Sequence, residues 1–402
     1  MHIAPLPWMT APETRAVMDA LNRDGDMARF VGGCVRSAVL GLPISDIDIA
    51  TRHTPDRTTE LLEAEGIRVV PTGLQHGTVT AIVNRAHFEI TTLRLDIETD
   101  GRRAVVAFTE DWREDAARRD FTMNAMFLSP DGSLDDPFGG HGDALGGLIR
   151  FVGDASTRIR EDVLRILRFF RFHAHFGKQE IDPAGLRACA EHAALIRDLS
   201  GERIRTEFLK LLAAPNPNPV LAAMEETHVL HEFLPGPYDP AALHRLISFA
   251  PEETDPILRL AVFAPERPNQ AFQASQRMRF SNAEAARFTD LSSGDLGEMT
   301  DDQAVRRQIH AHGNSLFEQL VRLGHAGGTF DDATTRALQA RSKGWSKPVL
   351  PVHGADLVKL GIAAGPGVGD LLREIEIWWI ERDFVPGREE CLAEIRRMTG
   401  KE

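Results

Sequence analysis

The stretch Arg29-Phe30-Val31-Gly32-Gly33-Cys34-Val35-Arg36-Ser37, followed by Ser45-Asp46-Ile47-Asp48-Ile49-Ala50, decides the reading of this chain. Side chains alternate across a strand, so Asp46 and Asp48, spaced i, i+2, fall on one face of a strand predicted over 44–50, with Ile47 and Ile49 on the other. Two hard oxygen ligands suit Mg²⁺, which takes carboxylates together with substrate phosphates and waters. Upstream, Gly32-Gly33 lets backbone N–H groups approach an anion closely, and Arg36 adds a guanidinium donor. A phosphate cradle and a metal site, with Asp46 and Asp48 as the metal ligands, therefore stand side by side. That is equipment for moving a nucleotide.

Each piece alone is commonplace. An isolated Asp-x-Asp is more often an exposed strand or turn, and a Gly-Gly pair more often a plain turn. The ordered combination Gly-Gly-x-Val-Arg and then Asp-x-Asp resembles the active-site entry of the DNA polymerase β-like nucleotidyltransferase superfamily. That superfamily usually places Asp after the Arg. Ser37 stands here instead, and Ser is itself a helix-capping residue.

At 402 residues the chain is long enough for two or more packed units. Its 43% hydrophobic and 26% charged content is that of an ordinary globular protein. No apolar run approaches the roughly 20 residues that span a bilayer, so no membrane association is expected. The N-terminus lacks the charged-then-apolar order of a secretion signal. Cys34, Cys189 and Cys391 are far apart and lack metal-ligand spacing, which reads as reduced thiols and a cytoplasmic location. The net charge of −13 is unevenly spread. Arginines 158, 160, 165, 168 and 171 face only Glu161 and Asp162 in that segment, so a nucleic-acid partner would bind through a localised stripe.

Up to about residue 150 the pattern is mixed α/β. A helix is predicted over 11–23, a short helix over 35–40, a helix over 58–65, and strands over 78–83 and 88–92. Residues 95–113, with Asp100-Gly101-Arg102-Arg103 at their centre, read as a mobile loop. Beyond 158 helical patterns take over, at 158–175, 183–194, 201–213, 220–232, 240–249 and 255–263, and again through 267–325. The Pro/Asn cluster at 214–219 is a break. The tail holds a glycine-rich turn, Gly365-Pro366-Gly367-Val368-Gly369, followed by an amphipathic helix over 370–380.

Two further clusters join the opening one: Arg118-Arg119-Asp120-Phe121-Thr122-Met123-Asn124-Ala125, and Glu161-Asp162-Val163-Leu164-Arg165 continuing to Arg168 and Arg171. With Phe88-Glu89-Ile90-Thr91-Thr92-Leu93-Arg94, Asp136-Pro137-Phe138-Gly139-Gly140 and Gly201-Glu202-Arg203-Ile204 … Glu207-Phe208, they resemble, in this order over 30–212, the class II CCA-adding tRNA nucleotidyltransferases and the related bacterial poly(A) polymerases. A weaker match lies at Gly354-Ala355-Asp356-Leu357 and 365–369.

The resemblance implies an α/β head with a mixed catalytic sheet (1–150), an all-α neck that recognises the nucleotide base (151–213), a helical body (214–345) and a helical tail that binds tRNA (346–402). It implies tRNA, ATP and CTP as partners, Mg²⁺ as cofactor and no obligate protein partner. The RNA 3′-hydroxyl would attack the α-phosphorus and pyrophosphate would leave. Asp46 and Asp48 would be catalytic, with Glu89 on a neighbouring strand as a third carboxylate or a structural ion pair. Gly32, Gly33 and Arg36 would hold phosphates, Arg119 the ribose or phosphates, and Asp120 the ribose 2′-OH. Asp162, Arg165, Arg168 and Arg171 would complete the nucleotide site.

On one continuous helix Asp162 and Arg165 would be surface neighbours, a carboxylate acceptor beside a guanidinium donor. Cytosine and adenine each present an amino donor beside a ring-nitrogen acceptor, which this pair fits. Uracil and guanine present a carbonyl beside a ring N–H and would leave mismatched polar groups, at about 1–3 kcal/mol apiece. The alternatives are a poly(A) polymerase, a CC-only or A-only enzyme, and a catalytically inactive RNA-binding relative. Residues 351–402 carry seven Lys/Arg against ten Asp/Glu, so the tail is no basic grip for arbitrary RNA. The 95–113 segment, which CC-only enzymes tend to lack, is complete. Retention of both Asp46 and Asp48 speaks against an inactive relative.

Overall fold

In the computed structural model, which describes all residues except 75–76, 100–103, 265–268, 300 and 401–402, the chain forms two compact units. One comprises Met1–Gly236 with Gln273–Phe280, and the other Pro237–Phe272 with Ser281–Glu402. The segments expected as head and neck thus lie in a single unit. The fold class is as expected, a mixed sheet with helices followed by a largely helical remainder.

The sheet is built from β1 (Ala28–Val31), β2 (Ile47–Thr51), β3 (Arg68–Gly73), β4 (Thr78–Val83) and β5 (Ala86–Thr92). A separate pair, β6 (Arg94–Thr99) and β7 (Ala104–Phe108), follows, and the short strands β8 (Phe127–Leu128) and β9 (Leu134–Asp135) return to the main sheet. Its order is β3-β4-β5-β2-β1-β8-β9. Among the described residues only the β2–β5 pair is parallel; β1 runs antiparallel to β2 with Val31 opposite Asp48.

Alternation gives the sheet two apolar faces. Phe30, Ile49, Phe88 and Ile90 bury on one, with Val17 and Leu21 of the helix Pro12–Leu21 and Leu62 of the helix Pro55–Ala64. Val31, Ala50, Trp112 and Phe127 bury on the other. Full burial of a side chain such as Phe30 stabilises by about 2–3 kcal/mol. Because Ile49 fills the first face, Asp48 must lie on the second. That register makes the carboxylate's position a consequence of core packing.

Four expectations are corrected. The metal strand begins at Ile47 rather than 44, so Asp46 lies just before it. Residues 95–113 are not one loop: they form the β6–β7 hairpin and the helix Trp112–Ala117, while the expected centre at 100–103 lies outside the described residues. The helix over 158–175 is two helices, Ala155–Glu161 and Leu164–Phe176. Asp162 between them is extended at φ −148°, ψ 104°, and its Oδ1 accepts from Leu164 N at 3.1 Å, so it caps the second helix. In the tail, 366–369 is the first turn of the helix Pro366–Glu381. Proline at a first helical position gives up an N–H that has no partner there.

The helix Leu164–Phe176 docks through an aromatic cluster. Phe121 stands 5.1 Å from Phe151 and 5.0 Å from Phe172, and Phe151 stacks on Phe169 at 5.2 Å. Phe121 directly follows Arg118-Arg119-Asp120, so this packing also fixes that polar run against the helix. In the second unit the helix Asp302–Ala326, kinked at Gly313, packs with Pro240–Phe249, Pro256–Phe263 and Asp332–Gly344. The last helices there enclose Leu357, Ile375, Trp379, Cys391 and Ile395.

Candidate active site

Gly32 ends β1 with φ 71° and ψ −125°, a backbone geometry open to glycine, and starts the helix Gly33–Leu40. A Cβ at Gly32 would lie 3.5 Å from Asp48 Oδ2 and 4.0 Å from Arg119 Nη1. The turn, the carboxylate and the guanidinium therefore face one small space. Arg36, one turn into the helix, donates from Nη1 to Asn124 Oδ1 at 2.6 Å. Its guanidinium lies over Phe172 (5.0 Å) and Phe176 (4.6 Å). Burial, reinforced by Arg171 and Arg168 and opposed by Asp120, lowers its pKa to about 10, so it is still a cation at neutral pH. A cavity of about 300 Å³ beside it is lined by Arg36, Arg171, Phe172, His175, Phe176 and Lys210.

Asp48 is half-buried in β2, opposite Glu89 of β5 in parallel register. Burial, then Glu89 and Asp46, push its carboxyl up to about 6 against the pull of Arg119 and Arg36. Among the described residues none donates a hydrogen bond to the Asp48 carboxylate. Asp46 is exposed and accepts from Ser45 Oγ at 2.9 Å. No group of three or more His, Cys, Asp or Glu among the described residues is placed to hold a metal ion. A cation here would use two protein carboxylates, which fits an ion completed by phosphates and water. Crowded anions with no protein cation bonded to them are the donor set such an ion requires. Glu89 is exposed and forms no ion pair with any described residue.

Arg119 is steered by Asp115, its Nη2 2.8 Å from Oδ2, while Arg118 Nη2 takes Oδ1 at 2.6 Å. Burial raises the Asp115 carboxyl, but the two arginines outweigh it and hold it below the usual range. Asp120 is engaged by its neighbours in the protein. Oδ1 accepts from Phe121 N (2.8 Å) and Asn124 Nδ2 (3.0 Å), and Oδ2 from Arg168 Nε (2.8 Å). Burial raises its pKa, yet Arg168 and these donors bring it down to about 2. Here it organises Arg168 and Asn124, and both its oxygens are engaged within the protein.

Arg171 Nε stands 2.7 Å from Glu207 Oε2, and Arg168 Nη1 3.9 Å from Glu207 Oε1. Asp162 and Arg165 are not the adjacent helical pair expected, because the helix breaks at Asp162. Arg165 Nη1 donates to Glu161 Oε2 at 2.7 Å and its Nη2 to the Arg118 carbonyl at 2.7 Å, whereas Asp162 pairs with Arg203 at 2.9 Å. Sequence reasoning did not single out Asp115, Asn124, Glu161, Arg203 or Glu207. Asn124, Glu161, Arg203 and Glu207 stood inside the motifs, and Asp115 precedes Arg118 and Arg119 at the i+3 and i+4 spacings that bring side chains together on a helix.

Among the described residues no helix is long and apolar enough to cross a membrane. Residues 28–150 match the family described as Poly A polymerase head domain, and residues 180–238 the family described as probable RNA and SrmB- binding site of polymerase A. The chain is 34% identical over 405 residues to the mitochondrial CCA tRNA nucleotidyltransferase 1 of Homo sapiens, covering 95% of this chain and 89% of that one. It is 33% identical to the CCA-adding enzyme of Limosilactobacillus fermentum, covering 92% and 93%. It matches the crystal structure of the Bacillus stearothermophilus CCA-adding enzyme in complex with CTP with a TM-score of 0.78 at 26% identity, over 96% and 97% of the two chains. Similarity at this level over nearly the whole length of each relative places the chain in the family of CCA-adding tRNA nucleotidyltransferases.

Proposed function

We propose that this chain adds CCA to the 3′ end of tRNA from CTP and ATP, with Asp46 and Asp48 holding Mg²⁺ at the reacting phosphate. The ion, when bound, supplies positive charge to the attacking and leaving oxygens. The protein's own residues do the rest. N–H groups of the Gly32-Gly33 turn at a helix start, with Arg36 and Arg119, orient the triphosphate. Arg171 and Lys210 around the neighbouring cavity add positive charge. The RNA 3′-hydroxyl attacks the α-phosphorus, its proton passes to the aspartate pair, and pyrophosphate leaves.

Base reading falls to Asp162, half-exposed at the helix break, as acceptor for the amino group of cytosine or adenine, with Arg165, Arg168 and Arg171 on the following helix. We retain head, neck, body and tail as the functional division, and place RNA along the helical segments, in keeping with the 180–238 match. Three buried, free cysteines fit a reducing compartment such as the cytoplasm.

One observation carries the reading: a half-buried Asp48 carboxylate beside Glu89 and Asp46, facing a glycine turn whose positive φ a side chain would strain. Asp46→Ala and Asp48→Ala should each abolish incorporation of labelled CMP and AMP into tRNA lacking its 3′ end, with the fold and tRNA binding retained. Near-wild-type incorporation by either variant overturns the assignment. The match of residues 28–150 to a poly(A) polymerase head favours a second reading, processive AMP addition to RNA. It would give long A-only products.

A further inference from the structure

We infer that Arg203 is the positioning residue that holds Asp162 for base reading, and thereby sets nucleotide selectivity without touching the base. The inference rests on the reading of Asp162 as the acceptor for the base amino group. Asp162 ends the helix Ala155–Glu161 with an extended backbone, and its side chain is 35% exposed. Two groups fix it. Leu164 N donates to Oδ1 at 3.1 Å, and Arg203 Nη2 lies 2.9 Å from Oδ1 and 3.0 Å from Oδ2.

That geometry decides what the carboxylate can still accept. A nitrogen nearly equidistant from both oxygens occupies the inner lone pairs, and Leu164 takes a further site on Oδ1. An ionised carboxylate offers about four such sites, so the outer side of Oδ2 is left for a base amino group. Rejection of uracil and guanine depends on the same arrangement, because a carboxylate free to swing away no longer confronts their carbonyl oxygen.

Arg203 is itself held by a rigid element. It lies on the helix Gly201–Leu212, four residues before the buried Glu207, so both project from one face. Glu207 pairs with Arg171 at 2.7 Å. A Cβ on Gly201 would meet the Arg277 carbonyl oxygen at 2.3 Å, so the start of the helix is packed directly against that backbone. One helix thus presents a cation to Asp162 and an anion to Arg171, fixing two neighbouring parts of the nucleotide-binding stretch with opposite charges. A plain surface ion pair would instead be worth about 0–1 kcal/mol and would carry no selectivity.

The test uses the full-length chain and single-nucleotide incorporation. CTP is offered on tRNA ending before the first C, ATP on tRNA ending in CC, and UTP and GTP on both. Arg203→Ala should lower kcat/KM for CTP and ATP about tenfold, the worth of one charge-assisted hydrogen bond, and change UTP and GTP less. Discrimination then falls by about the same factor. Arg203→Lys should restore part of it, and Arg203→Ala in an Asp162→Ala background should change discrimination no further. Equal loss with all four triphosphates, or wild-type discrimination by Arg203→Ala while Asp162→Ala loses it, overturns the inference and leaves base reading intact. Wild-type selectivity and rate in Asp162→Ala alone overturns base reading, and with it this inference. If circular dichroism shows Arg203→Ala unfolded, Arg203→Lys and Arg203→Gln carry the same comparison.

Discussion

Asp48 and Asp120 are tuned in opposite directions, and the difference is testable one residue at a time. Burial with Glu89 and Asp46 raises Asp48 to about 6. Such a carboxyl favours the folded state most below its unfolded pKa of about 4, and that advantage is lost as pH rises through about 6. At neutral pH its charge costs stability. Asp48→Asn should therefore stabilise the metal-free protein by about 1–2 kcal/mol after allowance for solvent screening. We expect a melting temperature about 3–6 °C higher at pH 7, and no gain at pH 4, while incorporation is lost. A variant no more stable than wild type at pH 7 would contradict the crowding of charge at this site. Asp120, lowered to about 2 by Arg168 and its other donors despite burial, behaves conversely. Its contribution is present above about pH 4 and is lost as pH falls toward 2. Asp120→Asn should cost about 3 kcal/mol at pH 7, measured by urea unfolding, with the gap to wild type narrowing below pH 4. A gap independent of pH would show that the ion pair is not its source.

Elements show where local chemistry was legible and where it was not. The facing of β2 followed from alternation, because Ile47 and Ile49 bury on the face away from Asp48, whereas its start at Ile47 leaves Asp46 outside the strand. The break at Asp162 was missed because the charged stripe over 158–171 satisfies helical spacing on both sides of it. The available signal was an Asp directly before the apolar run Val163-Leu164, an N-cap pattern. Partners contributed by distant segments, such as Arg203 for Asp162 and Arg168 for Asp120, follow from tertiary packing and leave no local signature. The segment Asp136-Pro137-Phe138-Gly139-Gly140 gives an element-scale test. Asp136 accepts from Gly140 N (2.7 Å) and His141 N (3.0 Å) at the start of the helix Gly140–Gly146, and a Cβ on Gly140 would meet the Thr122 carbonyl oxygen at 2.0 Å. Gly140→Ala should destabilise by about 3 kcal/mol, the upper end of overpacking costs. Gly142→Ala on the same helix meets nothing within 4 Å and should stabilise by about 0.5–1 kcal/mol. Equal melting temperatures for the two variants would contradict the close approach at Gly140.

At the scale of the whole molecule, a chain of net charge −13 is expected to bind tRNA through localised cations. Affinity for tRNA should fall with rising salt, as phosphate contacts retain their counterions; affinity unchanged between low and high salt would contradict docking on the backbone. The central claim is template-independent synthesis of C, C and A in order, and product length reads it directly. Purified protein is incubated with tRNA lacking its last three nucleotides, with each triphosphate separately and with CTP and ATP together. The expected products are two added nucleotides with CTP alone, three with CTP and ATP, and none with UTP or GTP. Long A-only tails with ATP alone, or arrest after two nucleotides when both CTP and ATP are present, would contradict it.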